Sequence, residues 1–173
     1  MKRVALTKQV PHPWPFSHGM VIEGPARLVF LAGQVAFDRH GPDRRLVGVG
    51  DPAAQTRQSI ENIRRLVRQA GGELADVVEM TVYVTDAAIM EPAGRVAQEY
   101  FGDSPPAQSF IVVKALARSE LLIEIRAIAA IAPRRRGRRA PRSGSNGALL
   151  ARGASRRANG GGSRLRPRRP KSR

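Results

Sequence analysis

Two charged residues in an otherwise apolar segment are the most direct candidates for chemistry in this sequence. Residues 121–131 read LLIEIRAIAAI, with Glu124 and Arg126 two positions apart. A carboxylate among apolar side chains needs either a partner or a chemical role, because an unpaired buried charge is costly. Glu124 is therefore the candidate catalytic residue, acting as a base on water. The alternative is a structural ion pair with Arg126, whose side chain lies on the same face of a strand.

Four residues are candidates for contact with a small ligand. Gln108 carries an amide that could bind an uncharged group, or could instead satisfy loop backbone. Phe16 could form a wall of the ligand site, or belong to the core or to an interface. Gly33 could bring backbone amides close to a ligand, or mark a strand bulge. Arg126 could supply a cation to the ligand, or pair with Glu124 or with a charge on a neighbouring subunit.

Several kinds of site are excluded by what the sequence lacks. It has no cysteine, which removes disulfides, thiolate nucleophiles and sulfur-bound zinc. Its three histidines match no metal-binding spacing, and it contains no GxSxG, Walker or dinucleotide-binding motif. We therefore predict neither a metal nor a cofactor.

The charge of the chain is unevenly distributed, and this divides it into two parts. The net charge is +16, but residues 1–132 hold 15 basic and all 14 acidic residues, whereas residues 133–173 hold 15 basic residues and no acidic one. The second part has only three sizeable apolar residues, too few to offset the entropy of ordering it. We predict a domain over 1–132 and a disordered, Arg/Gly-rich basic tail over 133–173. The tail could bind nucleic acid through phosphate contacts, or be an unselected extension.

The first twenty residues contain no apolar run long enough for a signal peptide, and no stretch approaches the ~20 apolar residues of a membrane helix. The sequence thus predicts a cytoplasmic protein with no membrane association.

Local patterns predict an α+β domain. Asp51-Pro52 and Gly71-Gly72 bracket a helix over 53–70, and a second helix runs from about 90 to 100. Alternation predicts strands over 77–85, 108–116 and 121–131, the last two forming a hairpin, and a further hairpin over 19–22 and 28–35. Two helices should pack on one face of a mixed sheet. On the other face, Leu122, Glu124, Arg126 and Ile128 mix apolar and charged groups, which is typical of a face that meets another subunit.

The order of motifs resembles the RidA (YjgF/YER057c/UK114) family over nearly all of residues 3–131. The motifs that carry the resemblance are Phe16-Ser17-His18, Ala32-Gly33-Gln34, Gln55-Thr56 through Asn62, Gly72 to Val78, Thr85-Asp86, Tyr100-Phe101, Pro106-Ala107 and Ile123 to Ala129. The resemblance implies a chorismate-mutase-like fold, a homotrimer whose sheets form a central barrel, and a small-molecule cleft at each subunit interface. Active members of the family hydrolyse enamines and imines to 2-oxo acids and ammonia without a cofactor or metal.

The resemblance also implies roles for three positions. Family members carry a carboxylate-binding arginine after the Pro-Ala pair, a glutamate in the last strand and a tyrosine in the amino-terminal loop. Here these positions hold Gln108, Glu124 and Phe16, so the glutamate is kept and the cation is lost.

We therefore predict a divergent member of the family that binds a small metabolite, which is either neutral or resembles an imine or enamine. The sequence does not decide whether the protein also hydrolyses this metabolite. The alternatives are a 2-iminobutanoate/2-iminopropanoate deaminase, in which Arg126 replaces the missing cation, and a nucleic-acid-binding protein that acts through its tail.

Overall fold

The computed structural model of the chain describes residues 1–6, 16–38, 45–102 and 104–133. The predicted basic tail lies outside the described residues, apart from Pro133. The described part contains six strands and two α-helices, in the order β1 (Lys2–Ala5), β2 (Met20–Glu23), β3 (Arg27–Gln34), α1 (Pro52–Gln69), β4 (Val77–Val84), α2 (Met90–Phe101), β5 (Ala107–Val112) and β6 (Ile123–Ile131).

Both predicted helices are confirmed, and their ends follow from local chemistry. At the start of α1, Asp51 accepts a hydrogen bond from the Ala54 amide at 3.0 Å, and proline occupies the first turn. At its end, Gly71 takes a φ of 81°, a left-handed conformation that favours glycine. Gly102 ends α2 in a similar way, with a φ of 52°.

The main sheet is mixed, with the strand order β3-β6-β4-β5. β6 runs antiparallel to both of its neighbours, whereas β4 and β5 are parallel. Parallel neighbours need a crossover connection, and α2 provides it between β4 and β5. The predicted fold class, a mixed sheet in an α+β domain, is therefore confirmed.

Both predicted hairpins are wrong. β4 lies between β5 and β6, so these two strands are not neighbours in the sheet. The turn after β5 takes the chain past β4 to its far side, where β6 lies. β2 pairs with β1 in a separate two-stranded sheet, and β3 pairs with β6. The turn signals located the changes of direction correctly, but they carry no information on which strands pair.

The core lies between one face of the main sheet and the two helices. Ile60, Ile63 and Val67 of α1 are at most 1% exposed, and they pack on alternate residues of β4 and β6. The helix-facing residues of those strands are Met80, Val82, Val84, Ile123, Ile125, Ala127, Ala129 and Ile131. The β6 residues of this set alternate with Glu124, Arg126 and Ile128, so the predicted assignment of those three side chains to the opposite face is confirmed.

A phenol links the two helices. Tyr100 of α2 donates a hydrogen bond of 2.7 Å to Glu61 of α1. Burial, and secondly this bond to a carboxylate, raise the pKa of Tyr100 to about 12. The phenol therefore keeps its proton, and the bond between the helices persists across the neutral pH range.

Neither α-helix of the described part has the length and apolarity needed to cross a bilayer.

Gln55 of α1 fixes the start of β6. Its Nε2 donates to the backbone oxygens of Gly48 (3.0 Å) and Glu120 (2.8 Å), and its Oε1 accepts from the amide of Leu122 at 2.9 Å. The Gln55 side chain is itself fully buried, so all three bonds are made inside the domain. This residue therefore ties the loop before β6 to the first turns of α1.

We predict that Gln55→Leu lowers the free energy of unfolding by roughly 2 kcal/mol, because three backbone groups lose the partner that this buried side chain provides. The matched control is Gln69→Leu on the exposed face of the same helix, which should change it by less than about 0.5 kcal/mol. Urea denaturation at one protein concentration measures both. Equal effects of the two substitutions would contradict the proposed role of Gln55.

Candidate functional site

The face of the main sheet that the helices leave uncovered, here called the open face, carries the candidate carboxylate. Register and alternation place on it one set of side chains from all four strands. Its principal members are Leu28, Phe30, Glu79, Thr81, Tyr83, Ser109, Ile111, Glu124, Arg126 and Ile128. Phe30 is 66% exposed and Leu28 is 53% exposed, so the face presents large apolar groups between its charges.

Gly33 makes the space that the Glu124 carboxylate occupies. An ideal Cβ at position 33 would lie 1.7 Å from Glu124 Oε1 and 2.6 Å from its Cδ. The backbone of Gly33 does not adopt a positive φ, so the requirement for glycine is one of space. The two residues, which the sequence indicated separately, are therefore in contact, with the carboxylate lying directly against the Gly33 backbone.

The strand around Gly33 is irregular and is held by buried amides. The pairing of β3 with β6 shifts register between Leu31 and Gln34. Gln34 Nε2 donates to the carbonyls of Ala32 and Gly33 at 2.9 and 3.2 Å. Asn62 of α1 donates to Val35 and Phe37 at 2.9 and 3.0 Å. α1 thus fixes the exit of β3 as well as the start of β6.

Arg126 pairs with a residue that the sequence analysis did not consider. Its Nη1 lies 3.8 Å from Oε2 of Glu79, on the neighbouring strand β4. The alternative interpretation of Glu124, a structural ion pair with Arg126, is therefore not found within the described residues, where Arg126 pairs with Glu79. Within the described residues the Glu124 carboxylate has neither an ion pair nor a hydrogen bond, which leaves its oxygens available to water or a ligand.

Phe16 and Gln108 lie together on the other side of the sheet, at an apolar cleft of about 480 Å³, counting its solvent-open part. This edge cleft is lined by Phe16, Thr56, Ile60, Met80, Val82, Met90, Ala93, Gly94, Ala97, Gln108, Phe110, Ile123 and Ile125. Thr56 donates its hydroxyl proton to the Pro52 carbonyl at 2.6 Å. Gln108 is thus the one polar side chain of the lining that has no hydrogen bond within the described residues.

The N-terminal segment is attached to β5 next to this cleft. Ser17 forms a parallel bridge with Ala107, and its amide donates to the Pro106 carbonyl at 2.9 Å. Its hydroxyl donates to the Pro105 carbonyl at 2.7 Å. These bonds place Phe16 beside the strand that carries Gln108.

The five predicted site residues therefore form two separate groups in the chain. Gly33, Glu124 and Arg126 lie at the open face, whereas Phe16 and Gln108 lie at the edge cleft. Gln108 is the register partner of Met80, which faces the helices, whereas Glu124 is the partner of Tyr83 on the open face. Neighbouring positions of a strand point to opposite faces, so the sheet itself lies between the two groups. One small ligand cannot contact both groups of the same chain.

Three residues near these groups escaped the sequence analysis. Tyr83 lies directly opposite Glu124, Glu79 binds Arg126, and Phe110 lines the edge cleft two residues beyond Gln108. Strand alternation already placed Tyr83 and Glu79 on the face opposite the core. Only the pairing of β4 with β6, which joins distant segments, brings them next to Glu124 and Arg126.

Within the described residues, no group of three His, Cys, Asp or Glu side chains could hold a metal ion.

We predict that Gly33→Ala destabilises the unmodified chain by about 0.5–1.5 kcal/mol, because its Cβ forces the Glu124 side chain into a less favourable rotamer. In a Glu124→Ala background the same substitution should cost only a few tenths of a kcal/mol, since the three nearest atoms to that Cβ all belong to Glu124. Urea unfolding of the four proteins measures this coupling. Equal costs in the two backgrounds would show that the carboxylate does not occupy the space above Gly33.

Comparisons with known proteins agree on one family. The model of the family described as Endoribonuclease L-PSP matches residues 8–131. The chain is 36% identical over 129 residues to a RutC family protein of Pyrococcus abyssi, covering 74% of this chain and 96% of the relative. It is 38% identical over 130 residues to a RutC family protein of Pyrococcus horikoshii, covering 75% and 98%.

Solved structures give the same result. A Yersinia pestis protein of the conserved Rid protein family, described as of unknown function, has 36% identity and a TM-score of 0.66, with 76% of this chain and 100% of the other covered. RidA from an Antarctic Psychrobacter has 29% identity and a TM-score of 0.56, with 70% and 92% covered. With its mixed sheet, its two helices and these relatives, the chain belongs to the RidA (YjgF/YER057c/UK114) family.

Proposed function

We propose that this chain is a divergent RidA-family protein that forms a homotrimer through its open face and binds a small molecule in clefts between copies. The observation that carries the proposal is the separation of Glu124 and Gly33 from Phe16 and Gln108 by the sheet. An assembly that places the open face of one copy beside the edge cleft of the next unites the two groups around one ligand. Each site is then incomplete without a second copy.

Two features of the open face support association. Phe30 and Leu28 are more than half exposed, and Ile111 is 40% exposed, so the face would remove substantial apolar area from water on assembly. In addition, Oε2 of Glu79 is buried yet has no hydrogen bond within the described residues. A donor from another copy would satisfy it.

The chemistry we propose is hydrolysis of a C=N bond. The Glu124 carboxylate accepts a proton from water as the water oxygen attacks the imine carbon. Glu124 then returns this proton to the nitrogen, which gives a neutral carbinolamine. The same carboxylate next takes the hydroxyl proton of the carbinolamine and transfers it to the nitrogen, the C–N bond breaks as the C=O bond forms, and a carbonyl compound and ammonia leave with Glu124 ionised again. No redox partner is needed, and all atoms come from the imine and one water molecule.

A second candidate is the family's deamination of 2-iminobutanoate or 2-iminopropanoate. One observation favours it: Arg126 lies on the same face as Glu124, and its side chain is 43% exposed despite its ion pair with Glu79. A guanidinium in that position could bind a substrate carboxylate. The pairing with Glu79 counts against it, because a second carboxylate would compete for the same cation.

A third candidate is binding of nucleic acid by the tail, supported by its 15 basic residues and by the endoribonuclease description of the family.

The cytoplasmic location of the protein also stays a prediction from the sequence.

We predict that the full-length protein releases ammonia from freshly generated imines and that Glu124→Gln lowers kcat/KM by about 10²- to 10⁴-fold, because a neutral amide cannot accept a proton from water. The control is Glu120→Gln, an exposed carboxylate in the loop before β6, which should retain full activity. A chain that ends at Pro133 should also retain it. Coupled ammonia detection over a panel of neutral and acidic imines measures the rates.

Activity of Glu124→Gln equal to that of the unmodified protein would reject the role of this carboxylate. RNA cleavage or salt-sensitive RNA binding that persists without residues 134–173 would favour the nucleic-acid alternative and place it in the domain.

We predict that the unmodified protein sediments at about three times its chain mass of 18.8 kDa and that Phe30→Glu shifts it to the single-chain mass. A charge in the centre of an apolar interface opposes association, because assembly would remove it from water. Val49→Glu is the matched control: Val49 is 68% exposed, close to the 66% of Phe30, but it lies in the loop before α1. A single-chain mass for the unmodified protein, or an unchanged mass for Phe30→Glu, would contradict assembly through the open face.

A further inference from the structure

The edge cleft combines an apolar wall with one polar group that has no partner. Phe16, Met80, Met90 and Phe110 supply much of the wall, and no charged side chain takes part in the lining. Gln108 is half-buried at this wall and forms no hydrogen bond within the described residues. A polar group kept without a partner beside an apolar cavity is the pattern by which binding sites orient a ligand.

The backbone that carries Gln108 is fixed on both sides. β5 pairs with β4 on one side, where Gln108 lies opposite Met80. On the other side Ser17 is bonded to Pro105 and Pro106, directly before the strand. The Gln108 side chain therefore projects from a fixed strand and not from a free loop, and its preference for a ligand is defined by the chemistry of its amide.

A glutamine amide offers a carbonyl acceptor and an N–H donor side by side. A ligand that presents N–H and C=O on the same edge can satisfy both with two parallel hydrogen bonds. A carboxylate offers acceptors alone, so it would leave Oε1 of Gln108 facing an anion, with no cation in the lining to compensate. An ammonium group offers donors alone, so it would leave the Nε2 donor of Gln108 without an acceptor.

Ligand geometry narrows the class further. Acyclic secondary amides are trans, which puts N–H and C=O on opposite edges. Lactams are held cis by their ring, and primary carboxamides carry an N–H on the same edge as the carbonyl. Both can place an apolar body against Phe16 and Phe110.

We propose that the edge cleft selects small neutral ligands with a cis amide edge, namely lactams or primary carboxamides with an apolar body, and that Gln108 determines this specificity. The inference rests on the proposed function in taking this cleft as part of the ligand site, and it adds the class of ligand. It concerns binding only, so it can be tested without any assay of hydrolysis.

The experiment titrates the full-length protein with three probes of similar size, 2-piperidone, N-methyl-2-piperidone and pentanoate, followed by protein NMR shifts. The unmodified protein should bind 2-piperidone at least fivefold more tightly than N-methyl-2-piperidone, which lacks the N–H, and more tightly than pentanoate. Gln108→Leu should abolish the difference between the two lactams. Gln108→Arg should reverse the order, so that pentanoate binds most tightly. Gln98→Leu, an exposed position of α2, should bind as the unmodified protein does.

Equal affinity of the unmodified protein for the two lactams, tighter binding of pentanoate, or no binding of any probe would overturn the proposal. The probe comparison uses unmodified protein, so it stands even where a variant at position 108 fails to fold. If the protein hydrolyses imines in a Glu124-dependent way but shows no lactam preference, the proposed ligand class is rejected and the proposed reaction stands. If the protein prefers lactams but hydrolyses no imine, the proposed reaction is rejected and the inference about Gln108 stands.

Discussion

The pleat of β6 is the constraint on which the rest of the site depends. Ile123 and Ile125 are at most 2% exposed in the core, and Glu124 lies between them in sequence. Alternation therefore forces the carboxylate onto the open face, and a shift of one residue would exchange two core isoleucines for a buried charge. Core packing thus fixes the location of the candidate catalytic group more firmly than any contact of that group itself.

The same strand explains why the site must be divided. β6 lies between β3 and β4, so its open face is flanked by Gly33 on one side and by Tyr83 and Glu79 on the other. Gln108 belongs to β5, on the far side of β4, and points towards the helices. The buried polar side chains of α1, Gln55 and Asn62, hold the ends of β6 and β3 in place. Within the part of the chain that the structure describes, no comparable contact connects the carboxylate to the edge cleft.

The sequence predicted what local chemistry controls. The ends of α1 followed from Asp51-Pro52 and Gly71, and the two faces of β6 followed from alternation, because both signals are complete within a few residues. The pairing of strands was predicted wrongly, since β4 and β5 become neighbours through a helical crossover and β3 joins β6 from almost a hundred residues away. The partner of Arg126 was missed for the same reason, because Glu79 approaches it only through the pairing of β4 with β6. The contact between Gly33 and Glu124 also depends on pairing, although both residues had been identified separately.

The charges of the two groups are consistent with one kind of reaction. The open face carries Glu79, Glu124 and Arg126, which leaves one net negative charge per copy, and the edge cleft carries none. In the assembly that we propose, an anionic ligand would meet this excess of carboxylate with Gln108 at the position where the family resemblance implies an arginine. A neutral imine meets no such repulsion. When its nitrogen takes up a proton, the developing positive charge is stabilised by the same carboxylates, and this stabilisation exists only in the reaction and not in the bound ground state. On the function that we propose, Gln108 at this position disfavours binding of acids, and the carboxylates of the open face provide the negative charge that favours C=N hydrolysis.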